Sequence, residues 1–244
     1  MANFDDPRTT TSAGFGSVPR AGGQVVFDAG LRKHMLSIYN YMTSGVLLTG
    51  IVALLTFNSG LAVNFASGPL MWLVALSPLA IVFAMSFGTN RFSKTTLQMM
   101  FWAFATLMGL SMSTIFLVFT QGSIAVTFFA TAAAFAGLSL YGYTTQKSLS
   151  GWGSFLIMGV VGLLVAMVLN IFLQSPALMY AISFIGVLIF AGLTAYDTQR
   201  LKNEYAMLRG TEFAGKAIVL GALTLYLDFI NMFQFLLSFM GNRE

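Results

Sequence analysis

The sequence predicts an all-α integral membrane protein with seven transmembrane helices. Of its 244 residues, 57% are hydrophobic and 8% are charged, whereas about a quarter of the residues are charged in a typical soluble domain. The apolar residues are gathered into seven stretches, each close to the roughly 20 residues that cross a bilayer. A soluble domain of this size could not hide so much apolar surface, whereas a bilayer accepts an apolar exterior. Composition and segment length therefore indicate the same fold class.

Each of the seven stretches is apolar around its whole circumference. This pattern excludes the strands of an outer-membrane barrel, in which apolar and polar residues alternate over about 10 residues. A helix also satisfies its own backbone polar groups, as the bilayer interior requires. In chain order, the predicted spans are Leu36–Phe57, Leu70–Gly88, Thr96–Phe119, Ile124–Thr144, Gly153–Leu173, Ala177–Tyr196 and Ala217–Met240.

The first thirty residues differ in composition from the rest of the chain. They are polar and rich in Gly, Thr and Ser, and they lack the apolar core of a cleavable signal peptide. We expect residues 1–30 to form a disordered cytoplasmic tail and residues 31–244 to form the transmembrane domain. The first span would then direct insertion into the membrane.

The positions of the basic residues predict the orientation of the chain. Eleven of the twelve Lys and Arg residues lie in the N-terminal tail or in the second-to-third, fourth-to-fifth and sixth-to-seventh loops, and Arg243 lies on the other side. Basic residues favour the cytoplasmic side of a membrane. The sequence therefore predicts a multi-pass protein of the inner (plasma) membrane, with a cytoplasmic N-terminus and a periplasmic C-terminus.

The metal-binding residue types are scarce. The chain contains no Cys and a single His, His34, which argues against a zinc or transition-metal centre. Hard cations such as Ca²⁺ bind carboxylate and carbonyl oxygens and need neither residue. We expect no bound cofactor, and Ca²⁺ is a candidate for a transported ion. Because the basic residues follow the membrane topology, the expected partner is the lipid bilayer and not nucleic acid.

Two acidic residues occur where the chain is otherwise apolar. Asp197 lies at the cytoplasmic end of the sixth predicted span, and Asp228 lies inside the seventh. A carboxylate at the centre of a membrane helix costs about 2.5–3.5 kcal/mol on insertion scales, so such residues are functional candidates by default. The structural alternatives are a protonated, hydrogen-bonded acid at Asp228 and an acid that reaches the interface at Asp197.

The neighbours of these acids suggest a polar contact between two helices. Thr224, Asp228 and Asn231 share one helical face of the seventh span, and Thr194 lies close to the face of Asp197 on the sixth. Two carboxyls in contact cannot both ionise cheaply, so such a pair shares a proton. Raising the pH would remove this proton and make the pair repel, which is a candidate gate. The ionised pair would also attract a divalent cation, so both acids are candidate Ca²⁺ ligands.

The predicted depths of the two acids conflict with this contact. Asp228 lies about eleven residues, or about 16 Å, into its predicted span, whereas Asp197 lies near the interface. Contact requires Ala217–Gly221 to lie partly outside the membrane, or a strong helix tilt.

Two segments carry a family resemblance. Leu193–Lys202, with the sequence LTAYDTQRLK, and Gly221–Asn231, with the sequence GALTLYLDFIN, resemble the signature segments of the Bax inhibitor-1 family, also called the transmembrane Bax-inhibitor-motif family. Leu140–Thr145 and Leu149–Gly151 are similar to segments of its bacterial members. The resemblance extends from about Leu31 to Arg243.

The resemblance implies a fold and an activity. The last helix would be central, with six helices around it, and the protein would be a pH-sensitive calcium leak. The acids matching Asp197 and Asp228 would hydrogen-bond near the cytoplasmic side and act as the pH sensor. Arg91 would latch the closed state by pairing with Asp197, with Lys94 as the second candidate. The alternative for both cations is a role in setting the topology.

Other functions fit the same residues. The chain could be a non-conducting regulator that binds membrane proteases or other membrane proteins, or a proton-coupled transporter that uses the acids as a relay. An intramembrane aspartyl protease also uses two acids on neighbouring helices, but such enzymes place Gly-x-Gly before the second acid, and here Leu225-Tyr226-Leu227 precedes Asp228. We therefore expect a protein that is not an enzyme.

Overall fold

A computed structural model describes residues 29–66 and 69–243 of the chain. The predicted disordered tail lies outside the described residues except for Ala29 and Gly30, which belong to the first helix. The described residues form eight α-helices and one 3₁₀ segment. These are α1 (Ala29–Asn58), α2 (Leu61–Phe65), α3 (Pro69–Gly88), α4 (Lys94–Met112), the 3₁₀ segment Ser113–Leu117, α5 (Gln121–Thr144), α6 (Ser150–Leu173), α7 (Pro176–Leu208) and α8 (Phe213–Met240).

The helices confirm the predicted fold class. Seven of them are long and apolar enough to cross a membrane, namely α1, α3, α4 with its 3₁₀ extension, α5, α6, α7 and α8. The short helix α2 lies in the loop between the first two predicted spans.

Three of the predicted spans differ most from the helices in their boundaries. The first, predicted to begin at Leu36, begins as helix at Ala29. The third span, predicted as Thr96–Phe119, is α-helical only to Met112 and then tightens into the 3₁₀ segment. The sixth, predicted to end at Tyr196, continues as helix to Leu208. The prediction was wrong there because hydropathy reports where lipid contact ends, whereas a helix can continue into water when its polar side chains pair along it.

Several helices begin at residues that satisfy free backbone N–H groups. The Ser93 and Thr120 side chains accept from the backbone N–H groups of Thr96 and Ser123, at 3.1 and 3.3 Å. Ser175 accepts from the N–H of Leu178 at 3.3 Å, directly before a proline at the start of α7. The caps at Thr120 and Ser175 fix the starts of helices that only short, uncharged loops separate from the preceding span.

The last helix occupies the centre of the bundle, as the resemblance implies. Half of the most apolar window of α8 is buried, against 11–39% for the other six spans. It packs on α1, α4, α5 and α7, whereas α3 packs mainly on α4 and α6 on α7. The end of α8 is fixed to the start of α5, because the Thr120 N–H donates to the Asn242 carbonyl at 3.1 Å.

Candidate functional site

The hairpin of α7 and α8 builds the candidate site. Its turn contains Gly210, whose φ of 81° is a left-handed conformation that glycine adopts without strain. Asp197 lies eleven residues before Leu208 at the end of α7, and Asp228 lies fifteen residues after Phe213 at the start of α8. In an antiparallel pair of helices, the distances of these two positions from the hairpin turn differ by only about one helical turn. The depth conflict disappears because α7 extends beyond its predicted end.

The structure brings the two acids together. The Asp197 and Asp228 carboxyls lie within hydrogen-bonding reach of each other, and their residues are only 5% and 4% exposed. Two ionised carboxylates have no proton to donate, so a hydrogen bond between them requires one of the two to be protonated. The arrangement can therefore hold a shared proton between two helices.

A basic residue of α7 completes this cluster. Nη1 of Arg200 lies 3.1 Å from Oδ1 of Asp197, and Nε of Arg200 lies 3.3 Å from Oε1 of Glu204. The Arg200 side chain is 40% exposed, so solvent screens these ion pairs and their contribution to stability is small. Sequence reasoning missed Arg200 because the residue was assigned to a loop, although its spacing of three from Asp197 was a usable signal.

The predicted latch residues lie elsewhere in this conformation. Arg91 is exposed in the turn between α3 and α4, and no ion pair within residues 29–66 and 69–243 joins it to Asp197. Lys94 begins α4, and its Cδ packs over Gly215 near the start of α8. The contact that the latch would make is taken here by Arg200, so a latch role for Arg91 or Lys94 stays a prediction.

The three residues of the predicted supporting face bond to their own helices. The Thr194 and Thr224 hydroxyls donate to backbone carbonyls four residues earlier, at 2.8 and 3.1 Å. The Asn231 amide donates to the Leu227 carbonyl at 2.7 Å. Thr194 is fully buried and the other two are half-buried. These bonds satisfy the side chains locally and do not reach the carboxyls.

A chain of hydroxyls connects α7 to two other helices beside Asp197. Ser139 of α5 hydrogen-bonds to Thr198 at 2.9 Å and to Tyr39 of α1 at 2.6 Å. Thr198 also donates to the Thr194 carbonyl at 2.7 Å. These hydroxyl contacts were not predicted, because their only local signal in the sequence is that Thr198 follows Asp197.

The next residues of α7 hold the α5–α6 loop and the end of α5. Gln199 accepts from the Leu149 N–H at 2.7 Å and donates to the Lys147 carbonyl at 2.8 Å. Nζ of Lys202 donates to the Tyr143 carbonyl at 2.7 Å. The segment that contains Asp197 is therefore fixed against α5 and the α5–α6 loop, while Asp228 is carried by a separate helix.

The tyrosines near the acids point elsewhere. Tyr226 is fully buried, and its hydroxyl hydrogen-bonds to Thr49 of α1 at 2.6 Å. Thr49 in turn donates to the Ala105 carbonyl of α4 at 2.8 Å. Tyr196 packs against Gly153 of α6. Both residues act in packing between helices.

The acids do not form a complete ion-binding cage. Among residues 29–66 and 69–243, no group of three or more His, Cys, Asp or Glu side chains is placed to hold a metal ion. Ca²⁺ takes six to eight oxygen ligands, and the pair supplies two carboxyls. A role for Asp197 and Asp228 as Ca²⁺ ligands therefore stays a prediction.

Comparison with known proteins gives a consistent result. Residues 31–244 match the family described as "Inhibitor of apoptosis-promoting Bax1". The chain is 46% identical over 241 residues to an uncharacterized protein of Caulobacter vibrioides, covering 93% of this chain and 96% of that protein. It is 44% identical over 230 residues to the inner membrane protein YbhL of Escherichia coli K12, covering 93% and 98%. An uncharacterized membrane protein of Streptococcus pyogenes is 33% identical over 221 residues, covering 89% of this chain and 96% of that protein.

The match to the family covers nearly the whole chain and includes both segments that carry the aspartates. The relatives are matched over nearly their whole lengths. The seven apolar helices agree with the descriptions of the Escherichia coli and Streptococcus pyogenes relatives as membrane proteins. The chain is therefore a multi-pass membrane protein of the Bax inhibitor-1 family.

Proposed function

We propose that this protein is a pH-sensitive calcium leak channel of the inner membrane, gated by the proton-sharing pair Asp197 and Asp228. The observation that carries the proposal is the contact between the two buried carboxyls on adjacent helices. Membership of the Bax inhibitor-1 family and the name of the relative YbhL, an inner membrane protein, support the activity and the membrane.

The structure corresponds to the closed state in this proposal. The shared proton joins α7 to α8 beside a tightly packed core, in which Leu225, Phe229 and Met232 of α8 are buried. Because α8 is central, it cannot move without changing its contacts with α1, α4 and α5. The hydrogen bond between the acids therefore stabilises the packing of the whole bundle.

Loss of the shared proton would open the gate. Two unit charges about 4 Å apart repel by about 4 kcal/mol at an effective dielectric constant of about 20. That energy corresponds to a roughly thousandfold change in a two-state equilibrium. Raising the pH therefore favours separation of α7 and α8, and lowering the pH restores the contact. The separated carboxylates would present oxygen ligands to a passing Ca²⁺ ion.

Calcium flux into liposomes tests the gate. Purified protein is reconstituted with a trapped Ca²⁺ indicator, and the rate of entry is followed as the pH is raised through neutrality. The wild-type rate should rise with pH. Asp228→Asn should give a rate that is low and independent of pH, because the amide donates permanently to Asp197. Asp197→Asn should also remove the pH dependence.

Glu212→Gln is the matched control, since Glu212 is an exposed acid just before α8. It should retain the wild-type response to pH. If both Asp→Asn variants also retain it, the pair is not the sensor. A wild-type protein that passes no ion would indicate the non-conducting regulator, and Ca²⁺ entry that requires an opposing proton gradient would indicate the transporter.

A further inference from the structure

A long groove lies between α1 and α5, where both helices flank α8. Its volume is about 680 Å³, within the roughly 300–1,000 Å³ of small-molecule sites. Phe229 of α8 forms part of its floor, and Ala132 and Ala136 of α5 leave space along one wall. Most of the lining is apolar, as expected for an outer surface of a bundle that faces the lipid chains.

One end of the groove carries positive charge. Arg32 lines the groove, and Arg32 and Lys33 together line a recess that adjoins it. Both cations are exposed, and no ion pair in the described part of the chain involves either of them. Further along, the Tyr39 and Ser139 hydroxyls bridge α1 and α5 at 2.6 Å. The other end, near Leu47 and Phe128, is apolar.

The length of the groove matches one leaflet of a bilayer. Its lining residues on α1 run from Arg32 to Leu47, which is about 22 Å at 1.5 Å per residue. One leaflet, from the middle of the bilayer through its headgroup region, is about half of the roughly 40–45 Å total thickness. When the apolar end reaches the middle of the bilayer, Arg32 therefore lies at the level of the lipid phosphates.

We propose that this groove binds one anionic phospholipid from the surrounding bilayer. An acyl chain would lie along Ala132 and Ala136, and the phosphate would lie on Arg32 with Lys33 as a second cation. A guanidinium donates two parallel hydrogen bonds to a phosphate, and basic pockets between membrane helices bind anionic headgroups in this way. A zwitterionic lipid has the same acyl chains but lacks the net charge that complements the two cations.

Native mass spectrometry tests the headgroup part of the proposal. The protein is mixed with equal amounts of phosphatidylglycerol and phosphatidylcholine of the same chain length, and retained lipid is counted. We expect one phosphatidylglycerol in preference to phosphatidylcholine. Arg32→Gln should lower this preference by about fivefold, as expected for one basic residue at an anionic lipid. Lys147→Gln removes an exposed cation from the α5–α6 loop and should leave the preference unchanged.

Filling the groove tests the acyl-chain part. Ala136→Phe should reduce retention of both lipids, whereas Ala134→Phe, an exposed residue of α5 that does not line the groove, should not. Elution as a single monodisperse species confirms that each variant is folded. The proposal is overturned if wild-type protein shows no preference for phosphatidylglycerol, if Arg32→Gln behaves as Lys147→Gln does, or if Ala136→Phe behaves as Ala134→Phe does. A dimer that Ala136→Phe disrupts would assign the groove to a second copy of the chain and would also overturn it.

Discussion

The two buried acids have unequal surroundings. Asp197 has the guanidinium of Arg200 at 3.1 Å on its solvent side, whereas Asp228 is carried by the central helix between Leu227 and Phe229. A positive charge favours the ionised form of a neighbouring carboxyl. Under the proposed function, Arg200 therefore sets the pH at which the pair loses its shared proton, and Glu204 moderates this effect by pairing with Arg200.

Replacing Arg200 should move the pH response of the flux. In Arg200→Gln the pair keeps its proton to a higher pH, so the midpoint of Ca²⁺ entry should shift upward. The shift should be less than about one pH unit, because the exposed ion pair contributes less than about 1 kcal/mol. Arg91→Gln is the comparison, and it should leave the midpoint unchanged in the conformation described here. If Arg91→Gln shifts the midpoint and Arg200→Gln does not, the latch is Arg91.

Removing the Tyr226 hydroxyl should weaken the bundle slightly. Tyr226→Phe breaks the bond to Thr49, but Thr49 keeps its bond to the Ala105 carbonyl, so no buried donor is left without a partner. The expected cost is about 0.5–1.5 kcal/mol, measured by unfolding in mild detergent. Tyr180→Phe, at a residue that is 55% exposed, should cost nothing measurable. Equal effects of the two substitutions would contradict this assignment.

Contact between α5 and α7 depends on a close backbone approach. A Cβ atom added at Gly142 would overlap the carbonyl oxygen of Ala195, two residues before Asp197. Backbone atoms cannot move aside as a flexible side chain can, so any larger residue must push the helices apart. The same region carries the Ser139–Thr198 bond and the Lys202–Tyr143 bond.

Enlarging Gly142 should therefore destabilise the protein. We expect Gly142→Val to cost at least about 1–3 kcal/mol, seen as a lower midpoint of thermal unfolding in detergent. Gly137→Val is the matched control on the same helix, because a Cβ atom at Gly137 meets no heavy atom within 4 Å. Both substitutions place the same β-branched residue in α5, so equal losses would show that helix propensity, and not the contact with Ala195, is responsible.

The orientation of the whole molecule is open to a direct test, because the chain contains no Cys. Single cysteines at Lys147, Thr211 and Gln121, which are exposed at the ends of spans, can be labelled with a membrane-impermeant maleimide. If the N-terminus is cytoplasmic, Gln121→Cys should react in intact cells whose outer membrane has been permeabilised. Lys147→Cys and Thr211→Cys should react only in inverted membrane vesicles. Labelling of Thr211→Cys from the outside would reverse the predicted topology.

Much of the architecture could be predicted from residues taken singly or in short runs. The apolar stretches predicted seven spans, and all seven are present as helices. The segments around Asp197 and Asp228 indicated the family, which the match over residues 31–244 confirms. Boundaries were predicted less well where polar residues continue a helix, as at Arg200 and Glu204.

By itself, the sequence determined the membrane class, the number of spans and the two acids that stand out against them, because hydropathy is a sum over neighbouring residues. Only the tertiary structure decided which groups meet. Asp197 reaches Asp228 because α7 runs on to Leu208 before the Gly210 turn, and this shifts the register of the hairpin. Ser139 meets Thr198 because Gly142 lets two backbones touch. Such contacts depend on helix length and distance of approach, and neither quantity is encoded in hydropathy.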